Sequence, residues 1–198
     1  MTTFAVVDAA LRTAGLGLAD GGARLCLRGN CLCCGQRRAA GRHAGKLHLE
    51  RMMEAEDTNF MKQALAEARE AGRKGEVPVG AVVVCKGRIV ARAHNLTETL
   101  TDVTAHAEMQ AITAAASALG GKYLTDCTLY VTVEPCVMCA GAIAWAQVAR
   151  LVFGAADEKR GYRRYAPQAL HPKTQVEGGV LADDCAELMK TFFAVRRR

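Results

Sequence analysis

The sequence has no apolar stretch that approaches the roughly 20 residues of a membrane-spanning helix. It also has no convincing secretory signal with a cleavage site at its start. We therefore expect no membrane partner and a reducing, cytoplasmic compartment. In such a compartment the nine cysteines are thiols or metal ligands rather than a disulfide framework.

A strong excess of charge is also missing outside the first fifty residues. Residues 1–50 contain seven Lys or Arg and three Asp or Glu, whereas the rest of the chain contains 19 and 17. A mildly basic globular part permits nucleic-acid binding through a local patch without requiring it. Charge alone does not identify the partner.

The first segment, residues 1–53, shows no sustained helical or strand periodicity up to about residue 50. The Cys-x-Cys-Cys run at 31–34 has an unusual spacing for a zinc site. We expect this segment to be a disordered extension, or to precede a natural start at Met52 or Met53. The predicted domain is then a single one over residues 54–198, long enough to bury a core.

From Glu56 onward, apolar patterns typical of helices and strands alternate. Asp57 or Thr58 can cap a helix that continues to Gly72. Further predicted elements are a hairpin of strands 77–84 and 88–94, a helix over 104–119, a strand over 129–133, a helix from Pro135 to about Ala149, a strand over 151–153 and a helix over 183–196. This alternation predicts a mixed sheet covered by helices on both faces.

Two short stretches, 104–108 and 133–139, carry three candidate metal ligands. Catalytic zinc takes three protein ligands and keeps a fourth position for water, and His106, Cys136 and Cys139 supply that number. If Pro135 lies in the first turn of its helix, Cys-x-x-Cys places both sulfurs on one side of that turn. The pattern therefore predicts a catalytic zinc site.

Glu108, two residues after His106, is the candidate proton carrier. Zinc lowers the pKa of a water molecule from about 15.7 to about 7, and a nearby carboxylate can take that proton and return it to a leaving nitrogen. The chemistry that follows is hydrolytic deamination. His-x-Glu followed by Pro-Cys-x-x-Cys is the signature described for zinc nucleobase deaminases.

Two alternative roles for Cys136 and Cys139 involve no metal. The two residues could form a redox pair or be two buried thiols. The preceding proline, the upstream His-x-Glu and the strand between them favour the metal site. A structural zinc would need a fourth protein ligand, and the nearest candidate, His94, is more simply a surface or hydrogen-bonded histidine.

Segments 77–81, 106–108 and 129–142, together with Asn95, resemble the bacterial tRNA-specific adenosine deaminases of the cytidine and deoxycytidylate deaminase superfamily. The likeness extends from about residue 59 to 197. It implies a cytidine deaminase-like α/β/α sandwich of three layers with a mixed, about five-stranded sheet, and a homodimer. The implied reaction converts the wobble adenosine of a tRNA anticodon to inosine, with zinc on His106, Cys136 and Cys139.

The resemblance also implies roles for further residues. Glu108 would transfer protons during attack on C6 of adenine, and Asn95 would hydrogen-bond the purine edge. Val79 would line the base pocket, and the backbone near Ala107 and Cys136 would orient the substrate.

A charged loop over 157–165 also contains two tyrosines, a composition suited to base stacking and phosphate contact. Arg163 and Arg164 are its candidate contacts to a tRNA anticodon stem-loop. A solvated surface loop is the alternative.

Two departures from the family keep the substrate open. The loop after Lys159 is longer and bulkier than usual, and 142–147 looks more like the corresponding stretch of guanine deaminases. A free base such as guanine is therefore the alternative substrate, although we expect Trp145 to belong to the core. A non-catalytic RNA-binding subunit is a third hypothesis, and the presence of Glu108 argues against it.

Overall fold

The computed structural model describes residues 32–196. Its elements in chain order are α1 (Leu32–Arg73), β1 (Gly80–Cys85), β2 (Arg88–His94), α2 (Ala107–Leu119), β3 (Cys127–Val133), α3 (Val137–Trp145), β4 (Arg150–Ala155), α4 (Tyr162–Tyr165), β5 (Gln175–Gly178) and α5 (Ala182–Arg196). Among the helices described, none has both the length and the apolar character needed to cross a membrane.

The five strands form one mixed sheet in the order β2-β1-β3-β4-β5. Strand β1 is antiparallel to β2 and β3, whereas β3, β4 and β5 run parallel. Lys86 and Gly87 join β1 to β2 with φ angles of 50° and 72°, which is the left-handed turn that suits a tight hairpin. The predicted mixed sheet of about five strands is confirmed.

Each face of the sheet is covered by two longer helices. Alanines of α2 and Ile143 of α3 pack on one face, in a cluster with inward residues of β1, β3 and β4. On the other face, α1 and α5 cover Val82, Tyr130 and Val152. The predicted three-layer α/β/α sandwich is therefore confirmed.

Close packing of α1 against β1 depends on Gly80. A Cβ at this position would collide with the backbone of Ala64 and Ala68 in α1. With hydrogen at this position, the helix lies directly on the strand that leads into the site.

Helix α1 begins earlier than the sequence pattern indicated. The predicted start at Asp57 or Thr58 was wrong, because α1 runs from Leu32 to Arg73. Asp57 is buried in mid-helix, where it bonds to Arg150 and Tyr130 rather than capping an end. Of the expected extension, residues 1–31 lie outside the described residues, and the proposed boundary at residue 54 stays a prediction.

Candidate active site

Two predicted metal ligands stand directly before helices. His106 is the N-cap of α2 and Cys136 is the N-cap of α3, and both have extended backbone conformations. Neither side chain makes a capping hydrogen bond. The starts predicted for these helices, at residue 104 for α2 and at Pro135 for α3, were therefore too early, because each ligand residue has an extended backbone and lies just before its helix. Both helix N-termini carry N–H groups without intrahelical acceptors, which favour thiolate charge nearby.

The three ligand atoms have the separations that a zinc ion requires. His106 Nδ1 lies 3.7 Å from Cys136 Sγ and 3.5 Å from Cys139 Sγ. Zinc–nitrogen and zinc–sulfur bonds of about 2.0 and 2.3 Å at a tetrahedral angle place these atoms about 3.5 Å apart. All three atoms lie within 4.8 Å of one another. The donor set therefore fits zinc, with one tetrahedral position left for water.

Cys136 carries the more acidic of the two thiols. Hydrogen bonding with Cys139 and His106, against the opposing effect of burial, holds the pKa of Cys136 at about 4. The same contact with Cys136, together with burial, raises the pKa of Cys139. A metal cation would have to displace the proton of Cys139, so metal binding by this pair releases protons.

Glu108 is the second residue of α2, and its side chain is buried beside the ligands. Burial raises the pKa of the Glu108 carboxyl. This carboxyl therefore takes up a proton more readily than a solvent-exposed glutamate does, which suits a proton carrier.

His94 forms hydrogen bonds with residues outside the group of metal ligands. Its Nδ1 lies 3.1 Å from Glu67 Oε2 and its Nε2 lies 3.1 Å from Lys74 Nζ. It is not part of the three-residue metal group found among the described residues. The expectation that His94 is a hydrogen-bonded histidine is confirmed.

Backbone hydrogen bonds bring three of the predicted substrate residues to this site. Asn95 N donates to Val79 O at 3.0 Å, which places the end of β2 beside the segment that precedes β1. Leu96 N donates to Ala105 O at 3.0 Å, next to His106 and the buried Ala107. Val79, Asn95 and Ala107 therefore lie around one region, although their contacts to a substrate remain a prediction.

Sequence reasoning missed the role of Glu134. This buried carboxylate accepts hydrogen bonds from Asp157 N at 3.2 Å, Arg163 N at 3.1 Å and the Arg163 guanidinium at 2.9 Å. Tyr162 N also donates to Pro135 O at 2.9 Å. These bonds hold the charged loop against the metal-ligand segment. The sequence does contain one signal for this role of Glu134. It is an acidic residue at the end of a predicted buried strand, and a buried charge requires hydrogen-bond partners.

Arg163 and Arg164 lie on this loop in different surroundings. The Arg163 guanidinium bonds to Glu134 and lies 4.8 Å from the centre of the Phe153 ring, with half of its side chain exposed. Arg164 is exposed and donates to the carbonyl oxygen of Glu158 at 2.7 Å. Both remain candidate substrate contacts.

The expectation for Trp145 was wrong. Its side chain is 85% exposed at the end of α3, not in the core. The buried residues of α3 are Cys139, Ala140 and Ile143, and Trp145 follows Ile143 by two positions, which places it on another face of the helix.

Comparisons with known proteins agree with this geometry. The family described as the cytidine and deoxycytidylate deaminase zinc-binding region matches residues 54–155. The tRNA-specific adenosine deaminase of Agrobacterium fabrum is 46% identical over 72% of this chain and 97% of its own length. The enzyme of the same name from Bacillus subtilis is 45% identical over 72% of this chain and 92% of its own.

Solved structures show the same relationship. One from a study of A-to-I editing by tRNA:A34 deaminases at the wobble position superposes with a TM-score of 0.63 at 46% identity, covering 66% of this chain and 99% of its own. Guanine deaminase from Nitrosomonas europaea has a TM-score of 0.61 at 26% identity, covering 68% and 82%. The two folds are alike, and the sequence is closer to the first.

Proposed function

The chain belongs to the cytidine and deoxycytidylate deaminase family, and within it to the tRNA-specific adenosine deaminases; we propose that it converts the wobble adenosine of a tRNA anticodon to inosine. The observation that carries this function is the juxtaposition of His106, Cys136 and Cys139 with the buried Glu108. Hydrolytic deamination needs a carboxylate beside an open metal position. A non-catalytic subunit does not need one.

His106, Cys136 and Cys139 hold the zinc ion in this proposal. When bound, zinc supplies a Lewis acid that activates water for attack on C6 of adenine at neutral pH. Glu108 would take one proton from that water and pass it to N1 of the purine. It would then take the second proton from the hydroxyl added at C6 and pass it to the amino group, which leaves as ammonia while C6 becomes the carbonyl of inosine. Glu108 is 3% exposed, so little of its side chain meets bulk solvent.

The substrate contacts are proposed from position and chemistry. Asn95 bonds to the nucleoside, Val79 lines the base pocket, and the amide of Ala107 orients the base. Arg163 and Arg164 on the loop beside the metal ligands suit the phosphates of an anticodon stem-loop, because a base extruded into the pocket leaves its neighbours on the rim.

Three wider features belong to the same proposal. The zinc deaminase domain comprises residues 54–198, and residues 1–53 are an extension outside it. The protein acts as a homodimer, and the exposed apolar side chains of Val137, Met138 and Trp145 on α3 support an interface there. The compartment is the cytoplasm, where tRNA is processed and thiolate ligands stay reduced.

One experiment separates the candidate reactions. Purified protein is incubated in parallel with unmodified tRNA that has adenosine at the wobble position, with free guanine and with free adenosine. We expect inosine in the tRNA and no turnover of the free compounds. Efficient conversion of guanine with untouched tRNA would overturn the proposal in favour of a free-base deaminase. Absence of all turnover in zinc-loaded protein would favour the non-catalytic subunit.

A further inference from the structure

Glu76 is a fully buried carboxylate in the segment between α1 and β1. Its Oε1 accepts a hydrogen bond from Thr99 N at 2.7 Å, and its Oε2 accepts one from Glu98 N at 3.1 Å. Two side chains also reach Oε2, Asn95 through Nδ2 at 3.1 Å and Thr97 through Oγ1 at 3.3 Å. Within the part of the chain whose side chains are described, no cation forms an ion pair with it.

The surroundings of Glu76 keep it ionised. Burial by itself would raise its pKa, but the hydrogen bonds from the Thr99 and Glu98 amides outweigh burial and hold the pKa below its usual value. An ionised carboxylate has four lone-pair positions and no hydrogen, so it accepts from every neighbour and donates to none.

This restriction fixes the direction of the bonds around it. Thr97 has one hydroxyl hydrogen, and the carboxylate takes it. Toward Asn95, Thr97 Oγ1 can then only accept, and it lies 2.9 Å from Asn95 Nδ2. Both N–H bonds of the Asn95 amide are therefore used, one by Glu76 and one by Thr97.

The remaining group of the Asn95 side chain is its carbonyl oxygen, Oδ1. Among the described residues no donor reaches this oxygen, and no fully enclosed side-chain oxygen or nitrogen lacks a hydrogen-bond partner. Asn95 Oδ1 is therefore not fully enclosed, and it is the one group of this side chain that is left to meet a ligand. Asn95 lies at the end of β2, and the next residue bonds to Ala105 beside the metal ligand His106.

We propose that Glu76 is a positioning residue that sets the hydrogen-bonding direction of Asn95, so that Asn95 offers the substrate an acceptor and no donor. The group that Asn95 recognises is then a donor on the nucleoside, either the amino group or a ribose hydroxyl. The adenine ring nitrogens are acceptors and would be repelled by Oδ1. This inference rests on the proposed function, in which Asn95 contacts the substrate.

The test compares steady-state deamination of an anticodon stem-loop RNA by Glu76→Gln, Asn95→Ala and the double variant. A glutamine at 76 has one carbonyl oxygen and two N–H donors, so it no longer requires donation from Asn95. We expect each single variant to lower kcat/KM about tenfold or more, the size of one lost hydrogen bond to a buried group. The double variant should lose no more than the worse single variant, because Glu76 acts through Asn95.

Glu98→Gln is the matched control. It makes the same change from carboxylate to amide on an exposed side chain, and its backbone N–H still bonds to Glu76. This variant should keep the kcat/KM of the unmodified chain. Zinc content and thermal unfolding of every variant are measured alongside, so that loss of the fold is separated from loss of positioning.

A second arm identifies the donor. Stem-loops are prepared with 2′-deoxyadenosine in place of the wobble adenosine. If Oδ1 accepts from the ribose hydroxyl, this substrate and Asn95→Ala should lower kcat/KM by similar factors without compounding. If it accepts from the amino group, the two losses should multiply.

The inference and the proposed function fail in different ways. If the unmodified chain does not deaminate the stem-loop, the proposed function is wrong. If it does, but the losses from Glu76→Gln and Asn95→Ala multiply, Glu76 does not act through Asn95. A normal rate for Asn95→Ala in an active enzyme would also overturn the inference.

Discussion

Asp57 Oδ1 and Oδ2 lie 2.6 and 2.7 Å from the two terminal nitrogens of the Arg150 guanidinium, which joins α1 to the first residue of β4. The Tyr130 hydroxyl on β3 donates to the same Asp57 Oδ1 at 2.8 Å. Little of either charged side chain is exposed. This pair anchors α1 to the sheet at two neighbouring strands.

We expect Asp57→Ala to lower the free energy of unfolding by about 3 to 5 kcal/mol, because Arg150 would remain as a largely buried, unpaired charge. Urea denaturation measures the loss. The double variant Asp57→Ala with Arg150→Met removes both charges and should recover part of it. If the double variant instead loses as much stability as the two single variants together, Asp57 and Arg150 do not stabilise the fold as a pair.

A chain that starts at Met53 should fold with little loss of stability and keep its activity. Side chains 51–56 are exposed, and Asp57 is the first buried residue in this part of α1. Thermal unfolding and turnover of the shortened and complete chains provide the comparison. A large fall in melting temperature would mean that the removed residues pack on the domain.

We expect Glu108→Gln to retain zinc and fold while losing most of its activity. The amide keeps the shape of the buried side chain but cannot take the proton from water. Metal analysis and turnover are measured on the same sample. In contrast, Cys136→Ala should lose zinc, because it removes a ligand. Normal turnover by Glu108→Gln would remove Glu108 from the mechanism.

Arg163 and Arg164 provide a matched pair for testing tRNA binding. Each replacement by Ala should raise KM for tRNA and reduce the salt dependence of binding by about one phosphate contact. Arg163→Ala should also lower kcat, because Glu134 loses the guanidinium that helps to hold the loop. Turnover over a range of salt concentrations tests this difference. Equal kcat values for both variants would exclude a positioning effect of Arg163.

Stability should depend on pH through Glu76. Its pKa is below the usual value of 4.5 in the folded chain, because hydrogen bonds from loop amides outweigh the effect of burial. The contribution of Glu76 to the free energy of unfolding is therefore fully present above about pH 4.5, and it is lost as the pH falls through the lower pKa of the folded state. Urea unfolding between pH 7 and pH 3 should show this loss. Glu76→Gln should be less stable at pH 7 and show a weaker dependence on acid.

The sequence predicted the metal group and the mixed sheet because both depend on local signals. Cys-x-x-Cys after a proline, His-x-Glu and the apolar strand over 129–133 are visible without knowledge of distant contacts. Helix starts were less predictable. His106 and Cys136 have extended backbones and lie just before their helices, and residue type alone does not indicate this.

The burial of two acidic residues, Glu76 and Glu134, was not predicted from the sequence. Glu76 and Glu134 resemble surface residues in the sequence, because acidic residues are mostly exposed. Each accepts hydrogen bonds from segments 19 to 29 positions further along the chain. Such partners become visible only when the fold places them. Trp145 shows the reverse case, in which a large apolar residue lies on the solvent side of its helix.

The order in which the metal ligands occur also affects how the chain folds. His106 is separated from Cys136 by the whole of α2 and β3, and β3 is paired on both sides within the sheet. The unfolded chain contains two nearby thiols but no assembled three-ligand centre. We therefore expect a metal ion to be captured after the sheet has assembled. Metal binding should then slow unfolding more than it speeds folding, and the two rates measured with and without zinc would show this.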